Sequence, residues 1–119
     1  MKVKAVDYME NQTAGNAYRK AYLDGLLSYI EKYLSIDELE RYYRVFAPSY
    51  PEKTLELFTK VLLPYAENNK SRSNYERIFS LLKKMSRIKG GRDAALKLIA
   101  DFQKLYKTRK IMMEILGQF

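Results

Sequence analysis

The chain has 119 residues and a net charge of +8, and its 47% hydrophobic and 30% charged residues are typical of one soluble globular domain. It contains no Cys and no His, which excludes disulfides, thiol nucleophiles, imidazole bases and the common zinc-ligand sets. The N-terminus lacks an apolar run of signal-peptide length, and no segment approaches about 20 apolar residues, so we expect a cytoplasmic protein that does not span a membrane.

The charge is divided unevenly along the chain. Residues 70–119 carry 13 Lys and Arg against 4 Asp and Glu, a net charge of +9. Residues 1–69 carry 9 against 10, a net charge of −1. Such a division indicates an anionic partner for one face of the protein without identifying that partner.

The first predicted element is a long helix that begins near Gly15. Residues 1–13 before it are polar and weakly patterned, which predicts a flexible N-terminus, and residues 14–119 are predicted to form one helical domain. An apolar stripe with steps of three and four residues runs to about Leu34. Its members are Tyr18, Tyr22, Leu26, Tyr29, Ile30 and Tyr33. Core packing explains the tyrosines most economically, and a stacking or peptide-binding surface is the alternative.

A short second helix is predicted to follow. Ser35 and Glu38 resemble a capping box at its start, and Pro48 predicts its end near Ala47. Its apolar residues are Ile36, Leu39, Tyr42, Tyr43 and Phe46. Three carboxylates lie in its first turns: Asp37, Glu38 and Glu40. We interpret them as stabilising the helix dipole, in preference to a metal or acid/base site.

The third helix is predicted to begin at Pro51, because proline suits the first turn of a helix. Its stripe consists of Leu55, Phe58, Val61, Leu62 and Tyr65. Pro64 lies inside this pattern and is expected to kink the helix or end it. Residues 67–73 are predicted to form a turn from their composition.

Two further helices are predicted on either side of Gly90-Gly91, a pair suited to a helix C-terminus. The first carries Tyr75, Ile78, Phe79, Leu82, Met85 and Ile88, and the second carries Ala95, Leu98, Ile99, Phe102, Leu105 and Tyr106. A phosphate-cradling role for the glycines is disfavoured, since the spacing of a P-loop is absent. A final short helix is predicted at residues 111–116.

No segment alternates with period two over a strand length, so the sequence predicts an all-α fold. We expect antiparallel αα-hairpins in a helical-repeat-like bundle of about five to six helices. No exact internal repeat is visible. The residues expected to be buried between the two helices joined at Gly90-Gly91 are Phe79, Leu82, Ile99 and Phe102.

Basic residues of the second half carry the strongest functional signal. The candidate surface for an anionic partner consists of Arg77, Lys83, Lys84, Arg87, Lys97 and Lys104. We expect these side chains to be exposed and unpaired, because this half has few acidic residues: Glu76, Asp93, Asp101 and Glu114. Such a surface would bind an acidic partner, or phosphate in a salt-sensitive and sequence-tolerant way. The alternative is a solvated helix face that keeps the protein soluble.

From Tyr50 onward the order of features resembles the helical C-terminal region of bacterial proteins that carry a SWIM-type zinc finger. The resemblance is carried by residues 50–58, Tyr75, residues 81–85, the run Phe102–Lys110 with its Tyr-Lys-Thr-Arg turn, and residues 113–116. The finger itself needs a Cys-x-Cys and Cys-x-His set that this chain lacks, so its metal site is carried over to no position here. The resemblance therefore implies a helical scaffold and no reaction.

These patterns favour a non-enzymatic helical interaction module that needs no cofactor and presents its basic face to an acidic protein partner. A nucleic-acid-binding accessory domain that contacts phosphate is the alternative. A hydrolase or transferase that relies on carboxylates and Lys is disfavoured, since the usual imidazole or thiol is absent.

Overall fold

The computed structural model describes residues 12–119, with side chains from Ala17 onward. The predicted flexible stretch, residues 1–13, therefore lies outside the described residues except for Gln12 and Thr13, which belong to the first helix. Contacts divide the chain into two compact units, residues 1–33 and 34–119. The extent of a single domain over residues 14–119 stays a prediction.

The all-α prediction is confirmed, since the described part of the chain contains six helices and no strand. The helices are α1 Gln12–Lys32, α2 Ile36–Phe46, α3 Pro51–Asn68, α4 Arg72–Ser86, α5 Gly91–Leu105 and α6 Lys110–Leu116. In the unit of residues 34–119, α2 packs on α3, and α4 contacts α3, α5 and α6. The contacts of α3 with α2 and with α4, and of α4 with α5, join consecutive helices and are the αα-hairpins that the short turns predicted.

The tyrosines of α1 do not form a core stripe, and the prediction of core packing is wrong for them. Between 45% and 76% of each of the four side chains is exposed: Tyr18, Tyr22, Tyr29 and Tyr33. The buried apolar residues of this helix are instead Leu23 and Ile30. Successive residues of a helix are rotated by about 100°, which places Leu23 and Ile30 about a quarter of a turn around the helix axis from the tyrosines. Burying aliphatic side chains leaves no hydroxyl without a partner, which explains the preference.

Helices α2 and α3 begin as predicted, and one expected interruption does not end a helix. The Ser35 hydroxyl caps α2 by accepting a hydrogen bond from the Glu38 backbone amide at 3.2 Å, which is one of the two bonds of the predicted capping box. Helix α2 ends at Phe46 and α3 starts at Pro51. Pro64 does not terminate α3, which continues to Asn68. Pro64 faces solvent. Proline has no amide hydrogen to donate to the carbonyl four residues earlier, and on this exposed side of the helix water can hydrate that carbonyl.

Helix α4 begins inside the segment that was predicted to be a turn. Ser71 caps it with a reciprocal capping box, in which its hydroxyl accepts from the Asn74 amide and the Asn74 side chain accepts from the Ser71 amide. The Asn74 side chain also donates to the Tyr65 hydroxyl at 2.9 Å, which links the start of α4 to α3. Polar composition alone did not distinguish this cap from a loop.

The turn between α4 and α5 depends on its two glycines. Gly90 has a φ of +75°, in the left-handed region that glycine adopts without steric cost. The Gly91 amide donates to the Ile88 carbonyl at 2.7 Å, and a Cβ at Gly91 would overlap the carbonyl oxygen of Met85. This close approach lets α5 fold back along α4 at the predicted turn. The predicted C-terminal cap is wrong, because α4 ends at Ser86 with Arg87 as its cap, and Gly90 is instead the N-terminal cap of α5.

The core of residues 34–119 is centred on α4. Side chains without significant exposure come from all five helices of the unit, including Phe46, Phe58, Ile78, Leu82, Met85, Phe102 and Met112. Of the four residues predicted to be buried beside the Gly90-Gly91 turn, Leu82, Ile99 and Phe102 are buried. Phe79 is only half-buried, and its ring contacts the ring of Phe119 edge to face. Leu105, included in the predicted α5 stripe, is 62% exposed.

Candidate anion-binding cleft

Two of the six basic residues predicted to be free are held in ion pairs with α2. The Arg77 guanidinium contacts Asp37 Oδ1 at 2.6 Å and Glu40 Oε1 at 3.1 Å. Lys84 Nζ contacts the other Glu40 oxygen at 2.6 Å. The prediction that Arg77 and Lys84 are exposed and unpaired is therefore wrong. Their partners belong to residues 1–69, too far away in sequence for the pairing to be predicted.

Glu40 is the centre of this ion-pair network and is two-thirds covered. The hydrogen bond from Lys84 lowers the pKa of the Glu40 carboxyl below its ordinary value of 4.5, against the opposing effect of burial. Arg77 lowers the same pKa further, and Asp37 and Glu40 together raise the pKa of the Arg77 guanidinium. Each pairing stabilises the charged form of its partner, so the network is intact at neutral pH.

Replacing Glu40 with Gln should reduce the free energy of unfolding by about 1–2 kcal/mol at neutral pH, since two cations lose a partly buried partner. Because the folded-state pKa of Glu40 is lowered, its contribution is present above pH 4.5 and is lost as the pH falls through the lowered value. Urea unfolding of both proteins along a pH series should therefore converge at acidic pH. The control is Glu76→Gln, an exposed carboxylate on α4 without an ion pair among the described residues. A pH-independent gap would contradict this role for Glu40.

Two other cations of the second half are covered by neighbouring groups. Lys83 Nζ lies 5.4 Å and 4.6 Å from the ring centroids of Phe79 and Phe119. Arg109 donates to the Ala66 carbonyl at 2.6 Å and stacks 3.9 Å from the Tyr106 ring centroid. Lys83 therefore does not join a free basic surface, and Arg109 serves to cap the C-terminal end of α3.

The remaining predicted residues are exposed, but they divide between two places. Lys97 and Lys104 lie seven positions apart on α5, so they project from a similar side of that helix. Arg87 lies instead at the C-terminal end of α4. None of the three forms an ion pair or side-chain hydrogen bond with another described residue. The structure thus divides the predicted surface and leaves half of its members exposed.

Arg87 borders a cleft of about 400 Å³ that the sequence did not predict. We call it the basic cleft. Its charged residues are four cations, namely Arg44, Lys84, Arg87 and Lys89, and no acidic side chain of the described residues lines it. Its apolar wall is formed by Tyr43, Ala47, Pro48, Pro51 and Ile88.

The basic cleft lies where two helices end on the same side of the unit. Ala47 is the C-terminal cap of α2 and Arg87 is the C-terminal cap of α4, so carbonyl ends of both helices lie beside it. Cations at helix C-termini are common because the helix dipole favours them there. Pro48 and Pro51 fix the backbone between α2 and α3.

Sequence reasoning missed Arg44 as a site residue, and Lys89 entered it only through the net charge of residues 70–119. Arg44 belongs to the half of the chain whose charges balance, and Lys89 lies in the turn before the glycines. Each lies near the C-terminal end of a predicted helix, shortly before a proline or a glycine. These two basic helix ends were the signal in the sequence that could have indicated the site. Nothing in the spacing showed that the two ends meet.

The described residues offer little for metal or membrane chemistry. No group of three carboxylates within the described part of the chain comes together in a way that could hold a metal ion. None of the described helices is both long enough and apolar enough to cross a membrane.

Searches against family models, curated proteins and solved structures found no match to the chain. The resemblance to the tails of SWIM-type zinc finger proteins therefore stays a prediction.

Proposed function

We propose that this protein is a non-enzymatic helical interaction module that binds an acidic protein partner through exposed cations of residues 34–119. The observation that carries the proposal is the excess charge of this unit. Its 17 Lys and Arg exceed its 10 Asp and Glu by seven. The closest internal ion pairs, around Glu40, combine two cations with two carboxylates and leave that excess unchanged.

The surface chemistry supports a protein ligand over an extended polyanion. The basic cleft combines cations with an apolar wall, a mixture typical of sites for side chains. Non-specific nucleic-acid binders instead align several cations along a groove that follows the phosphate backbone. Lys83 lies against the Phe119 ring and Arg109 is bonded to the Ala66 carbonyl, so neither cation is available for such an alignment along the second half of the chain.

A nucleic-acid-binding role is the second candidate, and one observation favours it. Lys97 and Lys104 are both exposed on the same side of α5. Two cations at this spacing could contact neighbouring phosphates of a duplex or single strand.

Fluorescence anisotropy with labelled poly-glutamate, duplex DNA and single-stranded RNA over a salt series separates the two roles. The proposed module should bind poly-glutamate at low salt more tightly than either nucleic acid of similar charge. A phosphate-binding domain should prefer the nucleic acids, with an affinity that falls steeply as salt rises. Absence of poly-glutamate binding at low salt would refute the proposed function.

A further inference from the structure

We infer that the basic cleft is the docking site for an acidic segment of the partner protein, one that places carboxylates beside an apolar side chain. This inference deepens the proposed function and rests on it. It concerns where the partner binds and which chemistry the cleft selects.

Positive charge in the basic cleft is only partly balanced by the protein itself. Of its four cations, Lys84 is paired with Glu40, and the side chains of Arg87 and Lys89 have no hydrogen-bond or ion-pair partner among the described residues. Among the described residues, the Arg44 side chain donates one hydrogen bond, to the neighbouring Tyr43 hydroxyl at 3.4 Å. The two helix C-termini beside the cleft contribute a partial negative charge of about one-half each, and the N-terminus of α3 at Pro51 contributes a partial positive charge of about one-half. At least about two positive charges therefore remain, which favours a ligand with more than one carboxylate.

The apolar wall indicates that the ligand brings more than charge. Pro48 and Ile88 line the cleft together with its cations, and neither can hydrogen-bond through its side chain. An apolar group seated there would remove both surfaces from water, while a bare anion would leave them wet. A segment with a Leu-like side chain next to its carboxylates satisfies both parts of the lining.

The cleft is supported so that a ligand need not reorganise it. Lys84 is fixed by its 2.6 Å contact with Glu40, and Tyr43 packs edge to face on Phe58 at 5.3 Å between ring centroids. Pro48 and Pro51, which also line the cleft, restrict the backbone between α2 and α3. A site prepared in this way binds with less loss of conformational entropy than a mobile surface would.

The test uses the full chain and a capped octapeptide in which glutamates flank leucines, with a Gln-for-Glu peptide as the uncharged probe. Titrating the ¹⁵N-labelled protein should shift amide signals of Ala47, Arg87 and Ile88 first. The double variant Arg87→Gln/Lys89→Gln should weaken binding about tenfold, since it removes the two cations without partners. The matched control, Lys97→Gln/Lys104→Gln, makes the same charge change on α5 and should weaken binding less than about twofold.

The outcomes separate the docking site from the proposed function. Equal loss of affinity in both double variants, or shifts spread over the whole surface, would overturn the basic cleft while leaving an acidic-partner module intact. Equal binding of the Gln peptide would overturn the carboxylate requirement. No binding of the glutamate peptide to the unaltered protein at low salt would refute both. Far-UV circular dichroism should be the same for all three proteins, because the four replaced side chains are exposed.

Discussion

Replacing Phe102 with Ala is expected to reduce the free energy of unfolding by about 3–5 kcal/mol. Phe102 is completely buried on α5, and its ring lies 6.0 Å from that of Tyr106. Truncation removes the largest buried side chain of this helix and leaves a cavity beside α4 that the packed neighbours fill only in part. Urea denaturation followed by circular dichroism at 222 nm measures the change, with an unchanged m-value as the sign of an intact folded state.

Leu105→Ala is the matched control for that measurement. Leu105 lies on the same helix but is 62% exposed, so its truncation should change the free energy of unfolding by less than about 0.5 kcal/mol. A loss below about 1 kcal/mol for Phe102→Ala would contradict the packing of α5 on α4.

Gly91→Ala should be the second most damaging substitution, with an expected loss of at least about 2 kcal/mol. An added Cβ would overlap the carbonyl oxygen of Met85 and lie 2.9 Å from its carbonyl carbon. Both atoms belong to the backbone of α4, so relief requires α5 to move away from α4 or the turn to open. Thermal and urea unfolding should show the loss, and a shifted resonance pattern around Met85 should accompany it.

The neighbouring glycines provide graded comparisons. Gly90→Ala meets no atom closer than 3.9 Å but needs a φ of +75°, which costs about 1–2 kcal/mol for a residue with a side chain. Gly25→Ala on α1 meets nothing within 4 Å and should raise helix stability by up to about 1 kcal/mol. If Gly91→Ala were tolerated as well as Gly90→Ala, the close approach of the two helices would be wrong.

Local patterns predicted the helices of this protein well, because their signals lie within a few residues. The Ser35 cap, the Pro51 start and the Gly90-Gly91 turn all act on adjacent backbone, and each lies where the sequence indicated. The tyrosines of α1 were misassigned for a physical reason. Periodicity identifies an amphipathic face but does not rank two apolar faces of one helix, and here the aliphatic residues are the buried ones.

The candidate site was much harder to predict, since its partners are distant in sequence. Arg77 and Glu40 are separated by 37 positions, and Lys84 and Glu40 by 44. Charge counting within the second half of the chain could not include a carboxylate on α2. The basic cleft was missed for the same reason, because Arg44 and Arg87 become neighbours only when the ends of α2 and α4 meet.

The position of Glu40 between two cations also favours one axial alignment of α2 along α4. Arg77 and Lys84 are seven residues apart, which is about two helical turns, and one carboxylate holds both through its separate oxygens. A slide of α4 by a single turn, about 5.4 Å, would carry both cations away from the carboxylate that they share. Because an ion-pair network needs its charges at defined positions, this one favours a single register for the two helices whose ends form the basic cleft.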